Sequence, residues 1–395
     1  MSCPTILPEI HELMPPMVAL RQHLHAHPEL SYEEFETSRL VAEKLRGWGY
    51  DVHHGLAGTE VVATLRKGRG SRTIGLRADM DALPIVETSG LPYASRHDGK
   101  MHSCGHDGHT AMLLAAGQCL AENVDFDGTV RLIFQPAEEG HVGARKMIED
   151  GLFELFPCDA VFAMHNWPGL PVGKFGFLAG PFMACADTVT IRINGRGGHG
   201  AMPQDTVDPV VAAASLVMVL QTVVARNLPP LDMGVVGVGS IHGGNSSTVV
   251  PTYVELAVTI RALKETTRQL LLQRIEALAH AQAESFGATA DVSVSPNAFP
   301  VLYNHPQETA LARSVALEWL GEEGLVAGMQ PMTCSEDFSF MLQACSGCYL
   351  IMGNGEGTEG GCLLHNPDYD FNDASLPYGA SYWVKLVSAY LDPAY

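Results

Sequence analysis

Two adjacent carboxylates, Glu138 and Glu139, are the most chemically informative residues of the sequence. They follow the apolar run 129–135, which is typical of a buried strand, and Pro136 ends that run. Removing one carboxylate from water is costly, and two neighbouring carboxylates also repel each other. We therefore expect a cation to neutralise at least one of the two.

Other side chains that bind metal ions follow further predicted strands or lie in loops near them. In chain order, these side chains are Asp79, Asp81, Cys104, His106, His165 and His365. Cysteine, histidine and glutamate together form the ligand set of Zn²⁺ and similar first-row ions. The five ligands of these three types exceed one tetrahedral site and suit two divalent ions about 3.5–4 Å apart. They are Cys104, His106, Glu139, His165 and His365.

The spacing of these residues indicates which of them would bind metal ions and which would act as a base. Cys104 and His106 can place both side chains in one small loop, where a thiolate can bridge two ions. Glu139 and His165 would complete one site or be shared, and His365 would close the second. Glu138 then remains beside a ligand but faces another way, because successive residues of an extended chain point apart. Such a carboxylate next to metal-bound water is the general base that a hydrolase needs.

The elements that must position these residues form an α/β pattern. Strands and helices alternate in the first third of the chain, which predicts a largely parallel sheet with ligands at the carboxyl ends of its strands. The order changes to β-α-β-β-α-β within residues 185–295, which predicts an inserted ferredoxin-like domain. We therefore predict a discontinuous catalytic domain from residues 1–184 and 296–395.

A helix start is predicted near the beginning of the chain. Ser31 and Glu34 have the spacing of a capping box, in which the two side chains bind the first free N–H groups of a helix. The helix they would open extends to about Trp48.

The inserted domain contributes further candidate residues. His199 lies in a glycine-rich loop, and we predict that it polarises a substrate carbonyl group. Arg261 ends an apolar strand, where a guanidinium group can hold a carboxylate with two hydrogen bonds. The loop 242–245, which ends at Asn245, is another candidate for binding substrate.

Length, net charge and cysteine content limit the number of domains, the partners and the compartment that we expect for this protein. The chain has 395 residues, which favours two domains, and a net charge of −20, which argues against nucleic acid and anionic membranes as partners. The first ten residues lack the features of a signal peptide, and no apolar stretch is long enough to span a bilayer. Nine cysteines, an odd number, without a secretion signal predict a cytoplasmic protein.

Six segments, found in the same order, resemble those of the di-metal amidohydrolases related to aminoacylase and the zinc carboxypeptidases. The segments are 77–84, 102–109, 135–140, 165–168, 197–203 and 335–339. The most similar branch contains hippurate hydrolase, bacterial N-acyl-amino-acid amidohydrolases and plant auxin-amino-acid conjugate hydrolases. The resemblance covers nearly the whole chain.

The resemblance implies a zinc-exopeptidase-like catalytic domain, with a mostly parallel sheet flanked by helices. The inserted satellite domain, 185–295, would act as a lid and mediate assembly into a homodimer or homotetramer. Two divalent ions (Zn, Mn, Co or Ni) would bind to five ligands, with Glu138 as the base. The implied ligands are Cys104, His106, Glu139, His165 and His365.

The resemblance also assigns roles near the substrate. His199 would aid the transition state, in its own site or in the partner subunit's site, and we group Asn245 and Arg261 with it as substrate-binding residues. The wider superfamily has a ligand histidine two residues before the strand-end aspartate. Arg77 holds that place here, which leaves the role of Asp79 open, and we group Asp79 with the catalytic residues.

The sequence thus predicts a metal-dependent amidohydrolase that splits small N-acyl amino acids into a carboxylic acid and an amino acid. One alternative is a dipeptidase or metallo-carboxypeptidase of the same superfamily. A second alternative is a non-catalytic metal-binding protein, against which the presence of Glu138 argues.

Overall fold

The computed structural model describes residues 6–357 and 360–392. The chain divides into two compact units. The first unit contains the residues up to Gly180, Tyr303–Gln330 and the residues from Asp337 onward, and the second contains Pro181–Leu302 and Pro331–Glu336. None of the helices in the described residues is both long and apolar enough to cross a membrane. The roles predicted for the two domains stay predictions.

Helices and strands are numbered here in chain order. The helices are α1 (Pro8–Ala26), α2 (Phe35–Gly47), α3 (His106–Glu122), α4 (Glu138–His141), α5 (Gly143–Glu149), α6 (Leu152–Leu155), α7 (Pro209–Leu220), α8 (Thr222–Asn227), α9 (Glu265–Ser285), α10 (Pro306–Leu320), α11 (Phe338–Ala344) and α12 (Leu376–Tyr390). The strands are β1 (Asp51–His53), β2 (Val61–Lys67), β3 (Thr73–Asp79), β4 (Gly128–Gln135), β5 (Ala160–Pro168), β6 (Phe175–Gly176), β7 (Gly180–Met183), β8 (Asp187–Asn194), β9 (Gly198–His199), β10 (Gly234–His242), β11 (Val249–Val250), β12 (Tyr253–Ala262), β13 (Thr289–Val294), β14 (Leu302–Asn304) and β15 (Gly347–Gly355).

The first unit is built on a seven-stranded sheet with the order β1-β2-β4-β3-β5-β15-β6. Its four central strands, β4, β3, β5 and β15, run parallel, and the outer strands are antiparallel. The central strands are buried along almost their whole length, as expected when helices cover both faces of a parallel sheet. The predicted α/β class with a mostly parallel central sheet is therefore confirmed.

The sheet register brings the carboxyl ends of neighbouring strands to one edge. Asp79, the last residue of β3, pairs with Gln135, the last residue of β4. On the other side of β3, Arg77 pairs with Ala163 of β5, two residues before His165. The segments that follow these strand ends therefore meet over the same edge of the sheet.

The second unit contains a four-stranded antiparallel sheet with the order β10-β12-β8-β13. Helices α7 and α9 pack on this sheet, where Val189, Ile191 and Ile193 of β8 alternate into the core. This order is the ferredoxin-like arrangement that the β-α-β-β-α-β pattern predicted. A separate two-stranded ribbon of β9 and β11 pairs His199 with Val249.

The predicted capping box is wrong. Helix α2 begins at Phe35, and its N-cap residue Glu34 makes no capping hydrogen bond with its side chain. The Ser31 hydroxyl group instead donates to Asp81 Oδ2 at 2.7 Å, and Glu34 Oε1 accepts from the Ala137 N–H group at 2.9 Å. Tertiary partners have thus displaced a locally plausible helix signal.

Gly108, in the first turn of α3, is required for close packing against Phe371. A Cβ atom at this position would lie 2.3–2.5 Å from three atoms of the Phe371 ring. We expect Gly108→Ala to lower the free energy of unfolding by about 1–3 kcal/mol, because the ring and the helix would have to separate. Urea denaturation followed by circular dichroism measures the change.

Gly47, at the end of α2, provides the matched control. A Cβ atom there would meet nothing within 4 Å. We expect Gly47→Ala to leave stability unchanged or to raise it by less than about 1 kcal/mol. Equal stabilities of the two variants would contradict the packing argument.

Candidate active site

The predicted metal ligands come together at the carboxyl edge of the parallel sheet. Cys104 Sγ lies 3.3 Å from His165 Nε2. The ligand atoms of Cys104, His106 and His165 all lie within 4.8 Å of one another, and the same holds for Cys104, Glu139 and His365. Cys104 therefore belongs to both groups, which is the position predicted for a bridging thiolate. The individual ligand assignments stay predictions.

Two of the histidines are oriented by backbone carbonyl groups. His165 Nδ1 lies 2.6 Å from the Asn166 carbonyl oxygen, and His106 Nδ1 lies 2.9 Å from that of Asp81. Because each Nδ1–H group donates to a carbonyl oxygen, each Nε2 atom keeps a lone pair for another partner. His106 Nε2 is buried and has no hydrogen-bond partner among the described residues. An imidazole anchored in this way is typical of a metal ligand.

His365 approaches the cluster from the C-terminal part of the chain. Its backbone N–H group donates to the Ser103 carbonyl oxygen at 2.8 Å, which fixes it next to the Cys104 loop. Its Nε2 atom lies 3.3 Å from Glu139 Oε1. This contact is not a hydrogen bond, since its alignment is poor. Glu139 Oε1 is therefore buried without a hydrogen-bond partner in the part of the chain described. Two facing ligand atoms thus leave a position for a cation.

The cluster has an excess of negative potential. Burial raises the pKa of the Cys104 thiol well above its usual value, and the carboxylates of Glu139 and Glu138 raise it further. Burial lowers the pKa of His106, but the carboxylates of Asp79 and Asp81 outweigh that effect and hold it at about 10. A divalent cation would favour the thiolate and the neutral imidazole instead. The donor set and its charge therefore fit divalent metal ions.

Glu138 and Glu139 lie in a tight turn rather than in extended chain. Although α4 begins at Glu138, the backbone of Glu139 and Gly140 is not helical, and Ala137 and Val142 on either side are left-handed, with φ of 56° and 54°. Alternation along a strand therefore does not separate the two carboxylates, and that part of the prediction is wrong. Glu138 is buried, and its carboxylate groups with ligand atoms of His106 and Glu139 within 4.8 Å.

Asp79 is a buried carboxylate held by cationic neighbours. Its Oδ1 atom lies 2.6 Å from His109 Nδ1, and its Oδ2 atom accepts from Arg77 at 2.7 Å. Burial alone would raise its pKa, but His106 and Arg77 hold that pKa well below the usual value. An ionised carboxylate with these contacts can orient histidines. Its predicted catalytic role stays a prediction.

Sequence reasoning missed the hydrogen-bonded chain behind His109. His109 Nε2 lies 2.7 Å from Asn166 Oδ1, and the Asn166 side-chain amide donates to the Tyr369 hydroxyl group. Gly105 fits between these groups, since a Cβ atom there would lie 2.5 Å from both Asn166 and Tyr369. Asn166 directly follows the predicted ligand His165, and this position could have indicated its part in the chain of hydrogen bonds. Nothing in the sequence around Tyr369 indicated that it takes part.

A second missed group supports the strand ends. Arg77 donates through Nε to Gln135 Oε1 at 2.8 Å, and Gln135 donates to Asp337 Oδ1 at 2.8 Å. Asp337 also accepts from the Ala144 N–H group at 2.9 Å. These bonds connect β3, β4 and the start of α5 below the ligand cluster.

The three candidates in the inserted region lie in the second unit. His199 is exposed, and its Nδ1 atom accepts from the Ala201 N–H group at 3.1 Å. Asn245 lines a groove of about 650 Å³ within this unit. One guanidinium nitrogen of Arg261 donates to the Thr259 hydroxyl group and to the Ile260 carbonyl oxygen, each at 2.9 Å. Arg261 thus bonds its own strand, and the substrate roles of all three stay predictions.

Residues 75–389 match the sequence profile of Peptidase family M20/M25/M40. The chain therefore belongs to this family and is a hydrolase, as the resemblance predicted. It is 40% identical over 387 residues to hippurate hydrolase of Campylobacter jejuni. The aligned region covers 98% of this chain and 99% of that protein.

Two further relatives have the same extent. N-acetyl-L-cysteine deacetylase of Bacillus subtilis is 38% identical over 369 residues, covering 93% of this chain and 86% of that protein. The crystal structure of the YXEP protein of Bacillus subtilis, described as a dinuclear metal binding peptidase from the M20 family, superposes with a TM-score of 0.83. It is 31% identical and covers 97% of this chain and 99% of that one.

Metal analysis tests the shared position of Cys104. If Cys104 binds both ions, Cys104→Ala should retain less than about one ion per chain after dialysis against metal-free buffer, while the wild-type protein retains about two. His365→Ala, which removes a member of one group only, should retain about one. Inductively coupled plasma mass spectrometry measures the content.

Cys119→Ala is the matched control, because Cys119 is also a buried free thiol but lies on α3, outside the two ligand groups. It should retain as much metal as the wild-type protein. Full metal content in Cys104→Ala would contradict the assignment.

Proposed function

We propose that this chain is a metal-dependent amidohydrolase that hydrolyses N-acyl amino acids to a carboxylic acid and a free amino acid. The observation that carries the proposal is the buried carboxylate of Glu138 beside ligand atoms of His106 and Glu139. Hippurate hydrolase and N-acetyl-L-cysteine deacetylase, two relatives of similar length, both have names that denote hydrolysis of an N-acyl amino acid.

Five residues would hold two divalent ions, which are Zn, Mn, Co or Ni. These residues are Cys104, His106, Glu139, His165 and His365. When bound, such ions polarise a substrate carbonyl group and lower the pKa of a bound water molecule. Two observations support this assignment. The imidazoles of His106 and His165 are anchored by backbone carbonyl groups, and Glu139 Oε1 has no hydrogen-bond partner within the described residues.

Glu138 would move the proton. Its carboxylate takes a proton from the attacking water as the new C–O bond forms at the amide carbon. It then gives the proton to the amide nitrogen as the C–N bond breaks, so that the amino acid leaves as a neutral amine. Burial of Glu138 supports this role, because a dry carboxylate exchanges its proton with the substrate rather than with bulk water.

The second unit would bind and polarise the substrate. His199 would donate a hydrogen bond to the carbonyl oxygen as negative charge develops there. Asn245 and Arg261 would bind the carboxylate of the amino-acid part. We assign no nucleic-acid or membrane partner, and we infer a homodimer or homotetramer assembled through this unit.

A cytoplasmic location is part of the same proposal. The eight cysteines of the described residues all have free thiol groups, which fits a reducing compartment.

Glu138→Gln tests the base directly. Glutamine has the shape of glutamate but cannot accept the proton, so turnover should fall by about 10²–10⁴-fold. Metal content and melting temperature should match those of the wild-type protein. Glu139→Gln is the matched control next in sequence, because it should lose metal as well as turnover. Unchanged turnover in Glu138→Gln would refute its role as the base.

A substrate panel separates the proposal from its alternatives. We expect kcat/KM for hippurate, N-acetyl amino acids or aromatic-acyl amino acids to exceed that for dipeptides by at least about tenfold, since a small pocket difference is worth that much. A preference for dipeptides or longer peptides would favour the dipeptidase or carboxypeptidase alternative. Metal binding without turnover of any amide would favour a non-catalytic metal-binding protein.

A further inference from the structure

Two buried carboxylates from elsewhere in the chain hold the turn that carries Glu138 and Glu139. The N–H group of Ala137 donates to Glu34 Oε1 at 2.9 Å. The N–H groups of Glu138 and Glu139 donate to Asp81 Oδ1 and Oδ2 at 3.1 and 3.0 Å. Three successive backbone N–H groups thus point to acidic side chains, and this arrangement fixes the direction of the peptide planes.

The turn needs such support because its backbone is strained. Ala137 has φ of 56° and ψ of 43°, the left-handed region, which is unfavourable for a residue with a Cβ atom. Such conformations persist only where the surroundings over-determine them. The Gly143 N–H group also donates to the Ala137 carbonyl oxygen at 2.9 Å, which closes the turn.

The buried side chain of Glu34 connects the turn to a second segment of the chain. It is completely buried, and its second oxygen accepts from the Thr59 hydroxyl group at 2.6 Å. Burial and the nearby Asp81 carboxylate raise its pKa to about 7, so the position is unfavourable for an ionised acid. It does not cap α2 with its side chain, although it is the N-cap residue. Its side chain instead accepts a hydrogen bond from the backbone of the turn, 103 residues away.

We propose that Glu34 is a positioning residue of the reaction, which holds Ala137 left-handed and thereby places the carboxylates of Glu138 and Glu139. This inference rests on the proposed function of Glu138 as the base. If Ala137 relaxes to a right-handed conformation, φ changes by roughly 120° and the two following carboxylates move. A displacement of about 1 Å can cost about 10²-fold in rate.

The first test compares two substitutions of Glu34. Glu34→Ala removes the bond to Ala137, so kcat should fall by about 10²-fold while KM changes by less than about twofold, measured at saturating metal. In Glu34→Gln the amide oxygen can still accept from the Ala137 N–H group, so kcat should stay within about threefold of wild type. Equal kcat values for wild type and Glu34→Ala would overturn the inference.

Ala137→Gly provides a sharper test in the Glu34→Ala background. Glycine adopts the left-handed region without the Cβ penalty, so the turn no longer depends on the Glu34 bond. The double variant should regain at least about tenfold of the lost kcat. A generally destabilised protein would not respond in this way, and failure of the glycine to restore kcat would count against the inference.

Glu60→Ala is the matched control for loss of a buried acid. Glu60 is also completely buried in the first unit, but it accepts from Leu56 N–H in its own loop at 2.6 Å. Its substitution should lower the melting temperature without lowering kcat. If Glu34→Ala and Glu60→Ala lowered kcat equally, the effect of Glu34 would be general instability and the inference would be wrong.

Zinc binding gives a readout that needs no substrate. Metal-free protein titrated with ZnCl₂ against a chromophoric chelator should bind zinc at least about tenfold more weakly in Glu34→Ala than in wild type, because Glu139 lies on the same turn. Glu34→Gln and Glu60→Ala should bind like wild type, and equal affinity in all four proteins would overturn the inference. If wild type bound zinc but cleaved no N-acyl amino acid, the proposed function would fail while this comparison still decided the role of Glu34.

Discussion

The structure depends on keeping negative charge buried at the carboxyl edge of the parallel sheet. Asp79 and Asp81 are fully or almost fully buried there, and Glu138 and the Cys104 sulfur lie beside them. Coulomb repulsion among such groups is strong because little water screens it. Arg77, imidazole groups and backbone N–H groups offset part of that repulsion. Burial raises the pKa of the Cys104 thiol and the nearby carboxylates raise it further, while carboxylates hold the pKa of His106 at about 10. Divalent cations would offset the negative charge that remains.

The scaffold makes this charge arrangement rigid. The parallel pairing of β3 with β4 places Asp79 opposite Gln135. Gln135 and Arg77 both donate hydrogen bonds to Asp337, and these bonds connect the strand ends independently of the loops that follow them. Helix α3 begins at His106, which places its positive end and its first-turn histidines next to Asp79. Because α3 begins at His106, the His106 side chain lies on a packed helix rather than in a free loop.

The central strands, and the side chains that meet at their carboxyl ends, could be predicted from the sequence because both leave local signals. Buried parallel strands appear as continuous apolar runs, and a polar residue directly after such a run marks the edge where ligands bind. The roles of Ser31, Glu34 and Tyr369 left no such signal, since their partners lie 50, 103 and 203 residues away. Ser31 and Glu34 even matched the wrong local motif, because three-residue spacing satisfies a capping box whether or not the helix uses it.

The different roles proposed for Glu138 and Glu139 depend on the left-handed conformation of Ala137. In extended chain their side chains would point to opposite faces, and only one would reach the cluster. With Ala137 left-handed, both carboxylates lie within 4.8 Å of a His106 ligand atom, while their N–H groups point to Asp81. The turn thus gives the side chains and the backbone different partners, as the roles proposed for the two carboxylates require. A glycine at position 137 would have indicated a left-handed residue in the sequence. Alanine gives no such signal, and under the proposal for Glu34 its buried carboxyl group holds this conformation.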